Sequence, residues 1–467
     1  MRNFWIAVSI ATGLATAVCG QDAKSLTYDQ ALEMTLTRNP ELKAASYEQE
    51  AALPQASVTG TYVYMGDDMS VGMNDLKGPV GGILGSLPEG LLPPAVLQQA
   101  QALLAKDWAM KLQDRSFGTV AANITVPVYT GGKINAANNA AKIKVENAAQ
   151  KETQARNGLV SELTERYYGL ALAMQVVEVR KQVLDGMRHH LSDAVALENN
   201  GIIAKGERLY AEVHTAEAER EYLKAQKTVE TLKSALGSTL NSEESVAPAS
   251  DMFILSDIEG ADYFKQCAFD RNPLLRQVSY AKRLATENMR LQRSEFAPQV
   301  ALMGIASLYN YQVSSIMPKW AVGAGVSFKI FDGLHREYKF SAARWQIRQA
   351  EAVGEQAHNN MLTLIDKLYN EMVTYSQQLP SVDASYRFAT EYLRIKDEAF
   401  KEGAAPSSDV VDARLNLAKI KIERLQAAYY YDLMLARLLE AAGISEAFSD
   451  YAKRSAAMPI RFEDESN

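Results

Sequence analysis

The chain has 467 residues, with 49 Lys and Arg against 56 Asp and Glu, 47% hydrophobic and 22% charged. This composition describes a folded chain of about two or three domains and excludes a disordered tail, and its mild acidity excludes a basic nucleic-acid surface. A mean hydropathy of -0.19 is too low for a bundle of membrane-spanning helices.

The N-terminus reads as a secretory signal peptide over residues 1–20. Met1-Arg2-Asn3 is a short positive region, Phe4 to Val18 is apolar, and Cys19-Gly20-Gln21 offers a cleavage point. Cys19 also offers a site for acylation, although Val18 before it departs from the usual lipobox residue. The mature chain keeps one cysteine, Cys267, so it has no internal disulfide. Five His and one Cys without metal spacing imply no metal centre, and no nucleophile–base pair or nucleotide loop implies a catalytic residue or cofactor.

The remaining chain repeats itself. Arg38-Asn39-Pro40-Glu41-Leu42 recurs as Arg271-Asn272-Pro273-Leu274-Leu275, 233 residues on. Val128-Tyr129-Thr130-Gly131 resembles Ile330-Phe331-Asp332-Gly333, 202 residues on, and Tyr167/Tyr369, Gly201/Gly403, Ala211/Ala413 and Ala216/Ala418 keep that separation. The first copy therefore carries 31 extra residues between its Asn-Pro and its Gly. The pattern divides the chain into a first repeat at 21–240, a linker at 241–260, a second repeat at 261–443 and a tail at 444–467.

Each copy opens with a helix, Tyr28 to about Ala51 and Ala261 to about Ser294, that its Asn-Pro interrupts. Two alternating segments follow, predicted as strands at 54–64 and 117–129 in the first copy and at 298–311 and 318–331 in the second. Trp320, Val322, Ala324, Val326, Phe328 and Ile330 share one face of the last, with small or polar residues on the other. Strands of about ten residues with one apolar face match outer-membrane strands. Four cannot close a barrel, so the strands must be pooled between chains.

The extra residues fall in an outer loop at 65–115, Gly- and Pro-rich and then helical from about Ala95 to Leu112; it reads as a variable surface loop, a plug or a partner site. The second-copy loop, Gln312 to Met317, is short. Long helices follow at 133–238 and 333–441. Leu163, Leu170, Val177, Leu184 and Leu191 are spaced by seven, and their second-copy equivalents Ile365, Met372, Leu379, Tyr386 and Leu393 are also apolar, which predicts coiled-coil-like packing. Pro380 is expected to kink the second copy. His189-His190 adjoin on a helix, face different ways and read as a solvated surface.

At this point the chain resembles the TolC family of outer-membrane efflux channels. Ser25 to Leu32 followed by Arg38 to Leu42 resembles the family's opening, and Val126-Pro127-Val128-Tyr129-Thr130-Gly131-Gly132 its strand-to-helix junction. Gly403 to Ala413 resembles its closing motif, and Tyr429-Tyr430-Tyr431-Asp432 through Gly443 its last helix. The resemblance implies an α+β membrane protein: a homotrimer with a shared twelve-stranded transmembrane β-barrel and a periplasmic α-barrel of long helices. The segments 241–260 and 444–467 would form an equatorial collar.

It implies a passive duct in the outer membrane of a Gram-negative bacterium, embedded in lipid and served by a periplasmic adaptor and an inner-membrane transporter. Asp409 and Asp412 match the two acids that line the family's periplasmic constriction, three residues apart on one helix face. From the residues alone, the same acids suit a helix start after Ser407 or Ser408. Glu207 matches a first-copy acid that links to a basic residue, but the basic position here is Ala405; Tyr210 is the equivalent of Asp412. Phe400 matches an aromatic gate position and lacks a hydroxyl. The competing reading is a soluble periplasmic coiled-coil adaptor or structural protein, which would lack a lipid-facing sheet.

Overall fold

The computed structural model describes residues 24–40, 59–88, 92–242, 244, 246–313 and 318–461. The expected leader with Cys19, the stretch 54–58 of the first predicted strand, and residues 314–317 and 462–467 lie outside these. In chain order the elements are β1 (Lys24–Leu26), α1 (Tyr28–Arg38), β2 (Thr59–Tyr64), β3 (Met69–Gly72), α2 (Lys77–Gly85), α3 (Pro94–Ala105), β4 (Ala109–Gln113), β5 (Ser116–Tyr129), α4 (Lys133–Asn199) and α5 (Lys205–Leu240). Then come β6 (Val246–Pro248), β7 (Met252–Leu255), α6 (Ala261–Arg271), α7 (Pro273–Ser294), β8 (Gln299–Tyr311), β9 (Trp320–Ser327), α8 (His335–Lys401), α9 (Ser407–Ala441), α10 (Phe448–Ala452) and β10 (Ala457–Ile460). The fold is α+β, and no helix among the described residues is long and apolar enough to cross a membrane.

The chain forms two compact units, one of Ala52–Lys142 with Leu284–Ile347 and one of the remaining segments. The first holds a four-stranded antiparallel sheet in the order β2-β5-β8-β9. Its alternation leaves one face apolar and open: Tyr62, Val126 and Leu302 are exposed, with Trp320 at 69% and Val322 at 75%. The last strand is shorter than predicted, because Gln299 pairs with Ser327 and leaves nothing on β8 for residues 328–331 to bond. The predicted helix to Leu112 is also corrected. It stops at Ala105, where the Trp108 indole donates to the Leu103 carbonyl and the Trp108 N–H to Asn74 Oδ1, and Leu112 joins β4 of a hairpin with β3.

The other unit is built on helices, with a core of Tyr28, Tyr167, Tyr168, Phe253, Tyr431 and Phe448. The Tyr167 hydroxyl donates to the Leu26 carbonyl at 2.7 Å and accepts from the Ala249 and Ser250 N–H groups, so one buried phenol satisfies three backbone groups. Asp432 is fully enclosed and accepts from the Phe253 N–H, and burial holds its carboxyl well above the usual range. The linker and tail meet as β7 pairs antiparallel with β10. All ten seam residues are buried or half-buried. Pro380 lies inside a helix that runs unbroken from His335 to Lys401, and its exposed ring meets no packed neighbour.

The Asn-Pro motifs act as ties. Proline biases the residue before it to extended backbone, and Asn39 and Asn272 cap α1 and α6 with ψ of 127° and 122°. The Asn39 amide donates to the Thr239 carbonyl at 3.3 Å and the Asn272 amide to Ala441 at 2.8 Å, acceptors 202 residues apart. At the ends of α5 and α9 the chain turns through left-handed residues, Asn241 at φ 47° and Gly443 at φ 74°. A Cβ on Gly443 would stand 2.7 Å from the Arg271 carbonyl carbon, whereas one on Gly201, with φ 72°, would meet nothing within 4 Å. Gly443→Ala is therefore expected to lower the urea midpoint clearly more than Gly201→Ala, which bears only the backbone cost of about 1–2 kcal/mol; equal losses would show that the close approach is not tight.

Candidate functional site

The tip, where α4 turns into α5 and α8 into α9, gathers all the sequence-predicted site residues. Each turn is closed by a left-handed glycine, Gly201 and Gly403, with paired bonds from Ile202 N–H to Leu197 and from Ala404 N–H to Ala399. Ile202 Cγ2 lies 3.0 Å from where a Gly403 Cβ would be, so the two turns pack against each other. The turns are held differently. Across the first, Arg208 bonds Glu198 at 2.6 Å. The positions 202 residues on are Phe400 and Val410, which share a buried apolar cluster with Ala194 and Ala211.

Ser407 is the junction. It opens α9 after Pro406, which brings no side-chain cap. The helix N-terminus therefore leaves N–H groups free and carries partial positive charge. Glu207 Oε2 accepts from the Ser407 N–H at 2.7 Å, so the first-copy acid caps the second-copy helix. The Ser407 hydroxyl pairs with His190 Nε2 at 2.6 Å. His190 is 1% exposed and lies against Phe400, itself 1% exposed, with ring centroids 4.4 Å apart. Phe400 is thus packed within its own protomer.

The solvated reading holds for His189, which is exposed, and is corrected for His190. A histidine beside the seam residue Leu191 can turn inward, and a hydroxyl waits for it there. Burial, then the Arg414 charge, lowers the His190 pKa from 6.5 to about 4, against the opposing pull of Asp397, Asp193 and Glu207. The Arg414 guanidinium fills the space a Cβ on Gly186 would take and reaches Asp397 at 3.5 Å.

The two acids of the closing motif differ. Asp409 is half-buried and paired with Lys396 at 2.6 Å. Asp412 is exposed and has no ion-pair partner among the described residues. Tyr210 stacks on His214 at 4.5 Å, and partial burial and the Asp412 charge raise its pKa. Sequence reasoning missed Lys396, His190 and the Arg414–Asp397 pair. The thirteen-residue reach from Lys396 to Asp409 spans a turn, and no helical spacing exposes it. No group of His, Cys, Asp and Glu among the described residues could hold a metal ion.

Residues 31–242 and 266–444 match the family described as outer membrane efflux protein. No curated protein matches the chain at a significant level. Among solved structures, the CmeC outer membrane channel of Campylobacter jejuni superposes with a TM-score of 0.68 at 14% identity, over 97% of this chain and 97% of that one. A membrane protein from Pseudomonas aeruginosa gives 0.69 at 16%, covering 89% and 90%. The outer membrane protein VceC of Vibrio cholerae gives 0.64 at 16%, covering 89% and 96%. These identities carry the fold alone, and the family match carries the membership. The chain belongs to the outer membrane efflux protein family, the TolC-type channels.

Proposed function

We propose that this chain is the passive exit duct of an export system that crosses the cell envelope. Three copies pool their strands in a twelve-stranded barrel in the outer membrane, and their long helices form a tube in the periplasm. The observation that carries the reading is the sheet. Its outward apolar face is exposed, and its edge strands β2 and β9 each pair on one side only among the described residues. Lipid offers no hydrogen bonds to an open edge, so closure by further copies resolves both features together. A soluble adaptor would gain nothing from such a face.

The architecture is that of an internal duplication. The helices α4 and α8 have 67 residues each and begin 202 residues apart, and α5 and α9 have 36 and 35. The family consists of channel proteins, and the chain works without catalysis or a resident cofactor. Lacking an energy source, it takes cargo from an inner-membrane transporter through a periplasmic adaptor. The segments 241–260 and 444–467 form its collar.

Asp412 is the main charge of the constriction, since Lys396 offsets Asp409. Glu207, Ser407 and His190 form a latch that replaces the pair lost at Ala405, and Phe400 seats it. In bilayer recordings, Asp412→Asn should reduce cation selectivity more than Asp409→Asn; the reverse order would remove Asp412 from the constriction. The latch also carries a pH signature. A His190 held near 4 against an ordinary 6.5 contributes stability above about pH 6.5 and loses it as pH falls toward 4. Conductance should therefore rise over that window in the wild type and much less in His190→Gln; an identical acid response in both would rule out His190 as the titrating group.

A further inference from the structure

The excursion between β2 and β5 is more than a connection. Its β3–β4 hairpin and the sheet face that carries Thr119, Ala121, Ile305 and Ser307 line one cavity of about 470 Å³. That face is opposite the exposed apolar one, since Thr119 pairs with Asn310 and Ala121 with Ser307, while Val120 points the other way with Tyr309. A bulge at Leu308 puts both Ser307 and Asn310 on the cavity side. Gln113 Nε2 donates to the Gln312 carbonyl at 2.6 Å and ties the end of β4 to the end of β8.

The lining has a definite chemistry. Met65, Met69, Leu112, Phe117 and Ile305 supply apolar walls. Thr119, Ser307 and Asn310 form a hydrogen-bonded polar floor, with Thr119 Oγ1 donating to Asn310 Oδ1 at 3.2 Å. Lys319 is the one ionised side chain among the described lining residues, and its backbone carbonyl accepts from the Ser307 N–H at 2.9 Å, which places it beside that floor. The nearest acids of the hairpin, Asp68 and Asp114, are taken up by Lys111. A volume of this size, mostly apolar with a few convergent polar groups, is that of a small-molecule site.

We propose that this cavity binds a small amphipathic molecule whose polar end is neutral or anionic, as a stopping place in the outer mouth of the duct. The site is built within one chain, on the central strands β5 and β8, so it does not need a neighbouring copy. The duct reading supplies its place in the exit path, and on that reading the hairpin narrows the mouth as well as roofing the site.

The test uses the full chain in lipid nanodiscs, with anilinonaphthalene sulfonate as anionic probe, phenylnaphthylamine as neutral probe and ethidium as cationic probe, read by fluorescence. The first two should bind saturably above empty discs and ethidium should not. Ile305→Trp fills the cavity and Met69→Asp charges its roof without touching the sheet; each should weaken both probes about tenfold. Lys319→Glu should weaken only the anionic one. Binding no better than empty discs, equal binding of ethidium, or wild-type affinity in both Ile305→Trp and Met69→Asp overturns the site. Bilayer conductance of the same wild-type preparation separates the two readings: a conducting chain without saturable binding loses the site and keeps the duct, and a chain that binds the probes yet never conducts keeps the site and loses the duct.

Discussion

Everything else in this molecule answers to the backbone of four strands. A sheet with open edges and one apolar face is stable in neither solvent: water penalises the face, and lipid penalises the edges. The chain leaves that conflict in place within the monomer and devotes most of its length to helical hairpins. Those hairpins carry the well-packed core, so the protomer holds together through its helices while its strands stay incomplete.

The two halves reach the same geometry with different chemistry. At the tip, an exposed first-copy turn is clasped by an ion pair between Glu198 and Arg208, and its second-copy counterpart by the apolar pair Phe400 and Val410. An ion pair at a half-exposed turn contributes little and weakens with salt, whereas apolar burial does not. The second turn is thus the firmer of the two, and it is the one that carries Ser407 and the acids. At the hairpin ends the halves diverge again. Asn241 supplies a side chain whose amide reaches the Arg38 carbonyl, and Gly443 lets the Arg271 backbone come into direct contact instead.

The long elements were legible because their signals are local and repeated. The heptad seam, the Asn-Pro breaks and the left-handed glycines each depend on a few neighbouring residues, and the 202-residue separation tested each against a second copy. The end of β9 was not legible, since it depends on where β8 starts. The hairpin at Leu112 was missed because alternation over five residues is weak against a preceding helical pattern. At the tip, Asp409 and Glu207 stood out by position, but their partners Lys396 and the Ser407 N–H are long-range. His190 read as surface because one residue's rotation about a helix decides between water and core.

The asparagine ties bear on how the chain comes to be folded at all. Asn39 waits for a carbonyl 200 residues downstream, and Asn272 for one 169 residues on. Both amides are buried, so a half that lacks the end of its second helix strands a polar group without a partner. Contacts of such separation form late, after the intervening chain has been delivered and the loop entropy has been met. The two ties therefore work as checks of completion. A chain cut short during export fails at the Asn-Pro of its last half, before it can offer strand edges to a partner copy.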